Sequence, residues 1–563
     1  MRFLDHLCLF VVLLFGFSLA SPLYAQISAG GQPIGLQKAT LEAPERLILP
    51  PVDRQTLAEE DAQFEAAGRP PRFGVHREVD IRLERMPHTT LPDGSRLSRV
   101  HIESVGARAI ALYFNDFHLA KGVRVFAYTP DGRHVRGAFT SANNRELRKF
   151  AISYTTGQEL ILEVHEPAKV IGQSALHIDR IGHAYRNWRG GKQRRDFGSS
   201  DSCHVNANCS EGNNYREQQR SVGLIVIPGL FGDSGCTGAL VGNTSFSNTP
   251  YFLTAEHCGG SFFGGFATPA DLAQWQFVFN FEADSCENPA SAAGLDDQSI
   301  IGSVLIARSD DDGGDTGSDL ALLELLGVPP AAYKPYYAGW DANDVASISG
   351  VGIHHPAGDI KKISTYNFNL LSDTWGGTTQ NTHWNVRWSP TSNGYGVTEG
   401  GSSGSPLFDS FGRIVGTLTG GGSFCDSPNS PDSYGKFSYH WESNGTASDR
   451  QLKPWLDPEN TGETVIDGYD PYDTTATSRA SVRESSLEIW PNPASEFVGV
   501  RLPNAEQTDG SVVLFDLNGR RVAQARLQQG DAVVPVDGLA TGVYVLEVVA
   551  SGQRSTRQLV IER

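Results

Sequence analysis

The chain has 563 residues and a formal net charge of −18, with 64 acidic against 46 basic side chains. That length is too great for one domain and ample for several cores. The charge disfavours nucleic acid or an anionic membrane surface as a partner and is compatible with a cationic substrate.

Residues 1–25 carry Arg2, an apolar run from Leu7 to Leu19, and small residues at Ala20 and Ala25. This is the layout of a secretory signal peptide, too short for a comfortable membrane span, with removal expected after Ala25 or Ala20. Cys8 leaves with it. Six cysteines remain, an even number that implies disulfides in an exported chain, in any of fifteen pairings. From Gln26 to about Pro71 the chain is polar, with Ile48-Leu49-Pro50-Pro51 as its compact apolar point, so an extended or partly helical lead is expected.

From Val75 onward short β-prone runs follow at 99–102, 109–114, 123–128 and 159–164, with Asp93-Gly94 and Asp131-Gly132 as turns between them. They suggest an antiparallel β-sandwich ending near Ala184. No triad-like constellation stands out in it. Residues 26–197 occupy the place of a propeptide, and the basic stretch Arg186 to Arg195 would be easily cut. The other reading is a permanently attached binding domain.

The segment 198–470 holds the chemistry. In Thr398-Glu399-Gly400-Gly401-Ser402-Ser403-Gly404-Ser405-Pro406, glycines permit the tight backbone that presents a serine Oγ and its own N–H to one carbonyl. Ser403 is the expected nucleophile, and the N–H groups of Gly401 and Ser403 the expected oxyanion donors. Upstream, the apolar strand Leu253-Thr254-Ala255 runs into Glu256-His257-Cys258, which makes His257 the candidate general base. Asp319, at the mouth of the apolar strand Leu320 to Leu325, is the candidate acid that orients it. The acidic loop Asp310 to Asp315 lacks the spacing of an EF-hand and reads as a solvated loop. The pair His354 and His355 has no matching ligand spacing, so no metal is expected.

Residues 471–486 are polar and aperiodic, a linker. The remainder, 487–563, shows strand runs at 497–500, 512–516, 542–548 and 558–561, with Asn518-Gly519 as a hairpin turn.

The motifs Tyr251-Phe252-Leu253-Thr254-Ala255-Glu256-His257-Cys258, Ile353-His354-His355-Pro356, Gly396 to Pro406 and Trp455-Leu456-Asp457-Pro458 resemble the chymotrypsin-like serine peptidases, and most of all the bacterial lysyl endopeptidases, over about Cys203 to Tyr469. The resemblance implies two six-stranded antiparallel β-barrels with the active site between them. It also implies disulfides Cys203–Cys425, Cys209–Cys286 and Cys236–Cys258. Trypsin-like enzymes place their pocket acid six residues before the nucleophile, where Val397 stands here. Lysyl endopeptidases take it from a later loop, which implies Asp432, with Glu399 or Asp426 as the competing acids. Thr419 stands where that family has a pocket-side histidine, and Trp375 matches the tryptophan that stacks on it. Ser402 stands where digestive proteases carry an acid that pairs with the new N-terminus, so latency is expected to come from the leader covering the cleft. The stretches Trp490 to Ala494, Phe515 to Arg520 and Leu539 to Tyr544 resemble the C-terminal sorting domain of type IX secretion cargo.

The expectation is an all-β, secreted, cofactor-independent serine endopeptidase. It would act as a monomer on protein or peptide substrates, cutting after basic residues, lysine before arginine, and be exported through the outer membrane of a Gram-negative bacterium by the type IX machinery. The alternative is an inactive protease-fold adhesin.

Overall fold

Residues 96–104 and 159–166 alternate large apolar side chains with polar ones, and the two strands Arg96–Ser104 and Glu159–Glu166 pair antiparallel, with Glu45–Leu49 alongside. The computed structural model describes residues 28–38, 41–66, 71–186, 200–260, 265–288, 298–473, 487–501, 510–516, 520–550 and 553–563. The signal segment 1–25, the cutting stretch 187–199, most of the linker and the Asn518-Gly519 turn lie outside them. The chain divides into two compact units, Met1–Tyr472 and Asp473–Arg563.

In the first unit the N-terminal runs form a two-sheet sandwich. Its second sheet contains Arg72–Arg82, Ala109–His118, Phe150–Thr156 and Ala175–Ala184. Ile102, Leu160 and Leu162 from one sheet meet Ile110, Leu112, Phe114 and Ile178 from the other in one buried core, the packing that period-two alternation requires. The polar lead does contain a helix, Arg54–Ala66.

The rest of this unit is a chymotrypsin-like double barrel. The first barrel runs in the order Ser299–Ile301, Gln276–Phe279, Val222–Gly229, Gly232–Leu240, Tyr251–Ala255, Leu320–Leu325 and Ser303–Arg308. The second runs Val205–Asn206, Lys362–Tyr366, Gly350–His354, Pro406–Asp409, Arg413–Gly421, Asp432–Lys436, His383–Val386 and Leu371–Asp373. Short outer strands thus extend each barrel beyond six. The three disulfides formed are Cys203–Cys425, Cys209–Cys286 and Cys236–Cys258.

The sandwich and the first barrel share one sheet. Strand Arg72–Arg82 pairs with Gly232–Leu240, Gly74 opposite Asp233. Phe73, Ala111, Tyr113 and Tyr154 of the sandwich pack with Leu224, Val226, Val278 and Phe281 of the barrel in one apolar cluster. Asp233 is fully buried there. Its carboxylate accepts hydrogen bonds from the hydroxyls of Tyr113 (2.9 Å) and Tyr154 and lies 2.9 Å from His76 Nε2. A buried carboxylate is tolerated only with such partners.

The second unit is a small β-sandwich. Sheets of three strands (Glu488–Trp490, Phe497–Arg501, Asp531–Pro535) and four (Arg521–Leu527, Gly510–Phe515, Gly542–Ala550, Gln553–Ile561) enclose Val498, Val500, Leu514, Leu546 and Leu559.

Candidate active site

His257 leaves the end of strand Tyr251–Ala255 in a short 3-10 turn, and the Cys258 disulfide ties that turn to Cys236 on the neighbouring strand. Asp319 sits just before strand Leu320–Leu325, which pairs with the histidine's strand, Leu320 opposite Ala255. The pairing delivers the acid to the base. Asp319 is buried, its Oδ2 accepts from His257 Nδ1 at 2.7 Å, and its Oδ1 accepts the His257 backbone N–H at 2.9 Å. Two bonds to one residue fix the imidazole's tautomer and its rotation together. Burial pulls the His257 pKa down, but the charge and hydrogen bond of Asp319, with Asp311 and Glu256 behind, outweigh it and leave the pKa above its ordinary 6.5.

The acidic loop differs from a solvated one. Asp311 is buried and faces inward. Its Oδ2 accepts the backbone N–H of Asp319 (2.8 Å) and its Oδ1 that of Gly314 (2.9 Å). Asp319 has φ +61°, a left-handed conformation that is costly for a residue with a side chain, and these partners hold it there. Glu256, behind Asp311, accepts the Asp311 N–H (3.0 Å), the Ser309 hydroxyl (2.8 Å) and Arg308 Nη1 (2.6 Å). Burial and the Asp311 carboxylate push Glu256 up to about 8. Asp311 moves the other way: burial opposes its charge, but hydrogen bonds from Glu256 and the two N–H groups prevail. Of the two carboxyls it is thus Asp311, beside Asp319, whose charged form is favoured. The sequence shows an acid run here; that one member turns inward depends on Glu256, 55 residues away.

Ser403 lies on the second barrel, and strand Gly232–Leu240 reaches across to its loop. Thr237 donates its N–H to the Ser403 carbonyl (2.8 Å) and its hydroxyl to the Gly401 carbonyl (2.8 Å). Gly404, at φ +78°, is packed so closely that a Cβ there would lie 2.1 Å from Thr254 Oγ1. Gly401, at φ +96°, is also closely packed, a Cβ there meeting the Gly358 nitrogen and the His355 carbonyl at 3.0 Å. The loop N–H groups of Ser402, Gly404 and Ser405 bond to carbonyls of Glu399, Leu418 and Ser402. Those of Gly401 and Ser403 have no acceptor among the described residues, as an oxyanion site requires. Ser403 Oγ makes no hydrogen bond among them either, the link to the base that commonly tightens only with substrate bound.

Ser402 hydrogen-bonds His354 Nδ1 (2.6 Å), whose Nε2 meets Ser364 (3.1 Å), and His355 Nδ1 meets the Asp359 carbonyl (2.9 Å). Burial lowers both histidines, His355 to about 3, so both are neutral core residues of the loop's support. Pro71 of the N-terminal segment lies against Gly400, where a Cβ would meet its ring at 2.4 Å.

Asp432 is fully buried below this loop. Its Oδ2 accepts from Trp388 Nε1 (2.7 Å), Thr398 Oγ1 (2.8 Å) and Ser423 Oγ (2.6 Å), and its Oδ1 from Ser423 N (3.0 Å). No cation pairs with it among the described residues. Burial raises its pKa against the pull of those donors. The competing acids are placed elsewhere: Glu399 accepts from Asp201 N (2.9 Å) and lies 2.8 Å from His204 Nε2, and Asp426 is exposed on a turn. Trp375 packs on Gly420 and on the His383 ring, 6.2 Å between centroids. His383 also meets Thr419 Oγ1 (3.0 Å). The tryptophan thus has a histidine neighbour from a different strand, which no local signal in Thr382-His383-Trp384 discloses.

Two facing β-barrels, with a carboxylate–imidazole pair on one and a glycine-bounded serine loop on the other, define the serine protease class. Residues 197–435 match the family described as "Lysyl endopeptidase, C-terminal domain", and residues 488–562 the "Secretion system C-terminal sorting domain". The chain thus carries a segment that matches the lysyl endopeptidase family, followed by a segment that matches a C-terminal sorting domain. A lysyl endopeptidase of Pseudomonas aeruginosa is 29% identical over 388 residues, covering 64% of this chain and 78% of that protein. Among solved structures, the thermostable serine protease AL20 is 17% identical and covers 39% of this chain and 92% of its own, with a TM-score of 0.28. A Glu endopeptidase is 14% identical and covers 43% of this chain and 92% of its own, with a TM-score of 0.26.

Proposed function

We propose that the protein is a secreted serine endopeptidase that hydrolyses peptide bonds after basic residues, with lysine preferred. The observation that carries the lysine preference is Asp432: a buried carboxylate held by four hydrogen bonds and lacking a cation, reached from the nucleophile loop through Thr398. A lysine ammonium completes that pair.

Ser403 Oγ attacks the carbonyl carbon and His257 Nε2 takes its proton. The oxyanion rests on the N–H groups of Gly401 and Ser403, and His257 returns the proton to the leaving nitrogen. Water then repeats the cycle on the acyl-enzyme. Asp319 steadies the imidazolium at each stage, and no cofactor is needed. Residues 26–197 act as a leader, with Pro71 over Gly400 blocking the cleft until they are cut away. The sorting domain supports export by the type IX route of a Gram-negative bacterium.

A serine-reactive phosphonate tests the nucleophile. Labelling of the processed wild type that is absent in Ser403→Ala supports the enzyme, and no labelling favours an inactive adhesin. Lysyl, arginyl, glutamyl and leucyl substrates test the preference; equal turnover of leucyl and lysyl substrates removes it.

A further inference from the structure

Asp319 belongs to the first barrel, yet the residue before it is held by the second. Ser318 is fully buried. Its Oγ lies 2.7 Å from His440 Nδ1 and accepts from Asn444 Nδ2 at 2.8 Å, with Asn444 Oδ1 at 3.1 Å. His440 stands on the short helix Phe437–Glu442, which follows directly on the second barrel's strand Asp432–Lys436. The Ser318 carbonyl is pressed against that same strand, where a Cβ at Gly435 would lie 1.9 Å from it.

The other edge of the His440 ring faces the nucleophile's side of the site. Its Nε2 lies 2.9 Å from Thr417 Oγ1. Thr417 precedes Leu418, whose carbonyl accepts the Gly404 N–H (2.7 Å) and whose own N–H donates to the Ser405 carbonyl (2.9 Å). The loop of Ser403 is thus joined to Asp319 through Leu418, Thr417, His440 and Ser318, a path that does not pass through His257.

The protons along this path fit one assignment. Burial pushes His440 down to about 3, so the imidazole is neutral and has one donor and one acceptor. The Ser318 oxygen takes an Asn444 amide hydrogen and gives its own to His440 Nδ1, and the Nε2–H goes to Thr417. The helix that carries the ring is firmly seated: Phe437 and Trp441 pack on Trp340, 5.6 and 4.6 Å between centroids, in one core with Leu320 and Leu322 of the strand after Asp319. An apolar side chain would suffice to fill the place of His440. A polar ring is tolerated there only with both nitrogens paired, and its two partners are the neighbours of the acid and of the nucleophile loop.

Asp319 has particular need of such support. Its left-handed backbone persists only where the surroundings over-determine it. Asp311 holds the N–H of the peptide between residues 318 and 319, Gly435 backs its carbonyl, and His440 holds the Ser318 side chain. Resting on the triad of Ser403, His257 and Asp319 proposed above, we propose that His440 is a positioning residue for it. Through Ser318 and Thr417 it clamps the acid of one barrel to the nucleophile loop of the other, so that the two barrels keep a single spacing between Asp319 and Ser403.

The test compares processed wild type with identically processed variants, after phosphonate labelling of each. In His440→Phe the ring stays and both bonds go; Ser318→Ala cuts the same link from its other end with less change in packing. Each should lower kcat ~10–10²-fold with KM near that of wild type, since a misplacement of about 1 Å can cost ~10²-fold. The acid limb of kcat/KM should move to lower pH in both, because a slackened Asp319 raises the His257 pKa less. Neither substitution replaces Asp311 or Glu256, the other acids that raise it. The double variant should lose no more than the worse single one, the mark of a shared interaction. Trp441→Phe, which loosens the same helix without touching the link, should keep both kcat and the limb.

A Ser318→Ala enzyme with wild-type kcat and limb overturns the clamp, and it decides the matter alone if His440→Phe does not fold. Additive losses in the double variant overturn it as well. So does a Trp441→Phe enzyme that reproduces the shift, since the effect is then one of core packing. A wild type that takes no phosphonate removes the triad, and the clamp falls with it; a labelled wild type with unmoved variants removes the clamp alone.

Discussion

Replacing Asp432 by asparagine keeps the size of the side chain and removes its charge. The pocket loses one bond at most: with the amide oxygen in the place of Oδ2 it still accepts from Trp388 Nε1, Thr398 Oγ1 and Ser423 Oγ, and the Ser423 N–H, which donated to Oδ1, is left facing the new NH2. What is lost is the charged partner of a substrate ammonium that must leave water to enter. Breaking a buried ion pair typically costs ~3–5 kcal/mol. At ~1.4 kcal/mol per factor of ten this is ~10²–10³ or somewhat more in kcat/KM, with the lower part expected because the amide oxygen can still accept one ammonium hydrogen. The assay compares lysyl and leucyl peptide amides on wild type and variant, with phosphonate titration counting active sites. Lysyl turnover should collapse, leucyl turnover should hold or rise, and titration should be unchanged. A variant that titrates normally and keeps the wild-type lysyl-to-leucyl ratio refutes Asp432 as the pocket acid.

The base is neutral only above its pKa, so kcat/KM should rise with pH through a value above the ordinary 6.5 of histidine. Asp319→Asn removes what raises that pKa, so the acid limb should move to lower pH while kcat falls ~10⁴; a limb that does not move contradicts the pairing. Asp311→Ala strips the acceptor from the Asp319 N–H. A hydrogen bond to a charged group contributes ~1.5–3 kcal/mol, so kcat should drop ~10–10² with KM little changed, and an equal rise in KM instead assigns Asp311 to substrate binding. Replacing both Cys236 and Cys258 by alanine opens a link across 22 residues. It should destabilise the protease by ~3 kcal/mol, read by denaturant unfolding, and an unchanged midpoint refutes the contribution.

What could be read from the sequence was whatever one strand and its end contain. Leu253 to Cys258 shows both the strand and the histidine at its end, and the glycines around Ser403 announce a loop that cannot tolerate Cβ atoms. Asp319 was legible because an acid directly before an apolar strand has few places to go. The support of these groups was not legible. Asp311 looks like its solvated neighbours until Glu256 is placed behind it, and His383 meets Trp375 through the register of the hairpin that sets Asp373 opposite His383. Likewise nothing local marks Asp233, whose partners Tyr113 and Tyr154 lie 120 and 79 residues away. A buried acid is decided by who faces it, and facing is a property of topology.

Asp233 also bears on the leader removal proposed above. Strand Gly232–Leu240 then loses its neighbour at Gly74 and presents open backbone groups beside the apolar patch of Leu224, Val226 and Val278. Such an edge invites pairing with a second molecule. The carboxylate that Tyr113, Tyr154 and His76 contact here would then stand without those partners at the edge, a gatekeeper against fibre-like association. Asp233→Val should leave catalysis by the processed enzyme intact and make it scatter light on standing; a processed variant as soluble as wild type would deny the residue that second role.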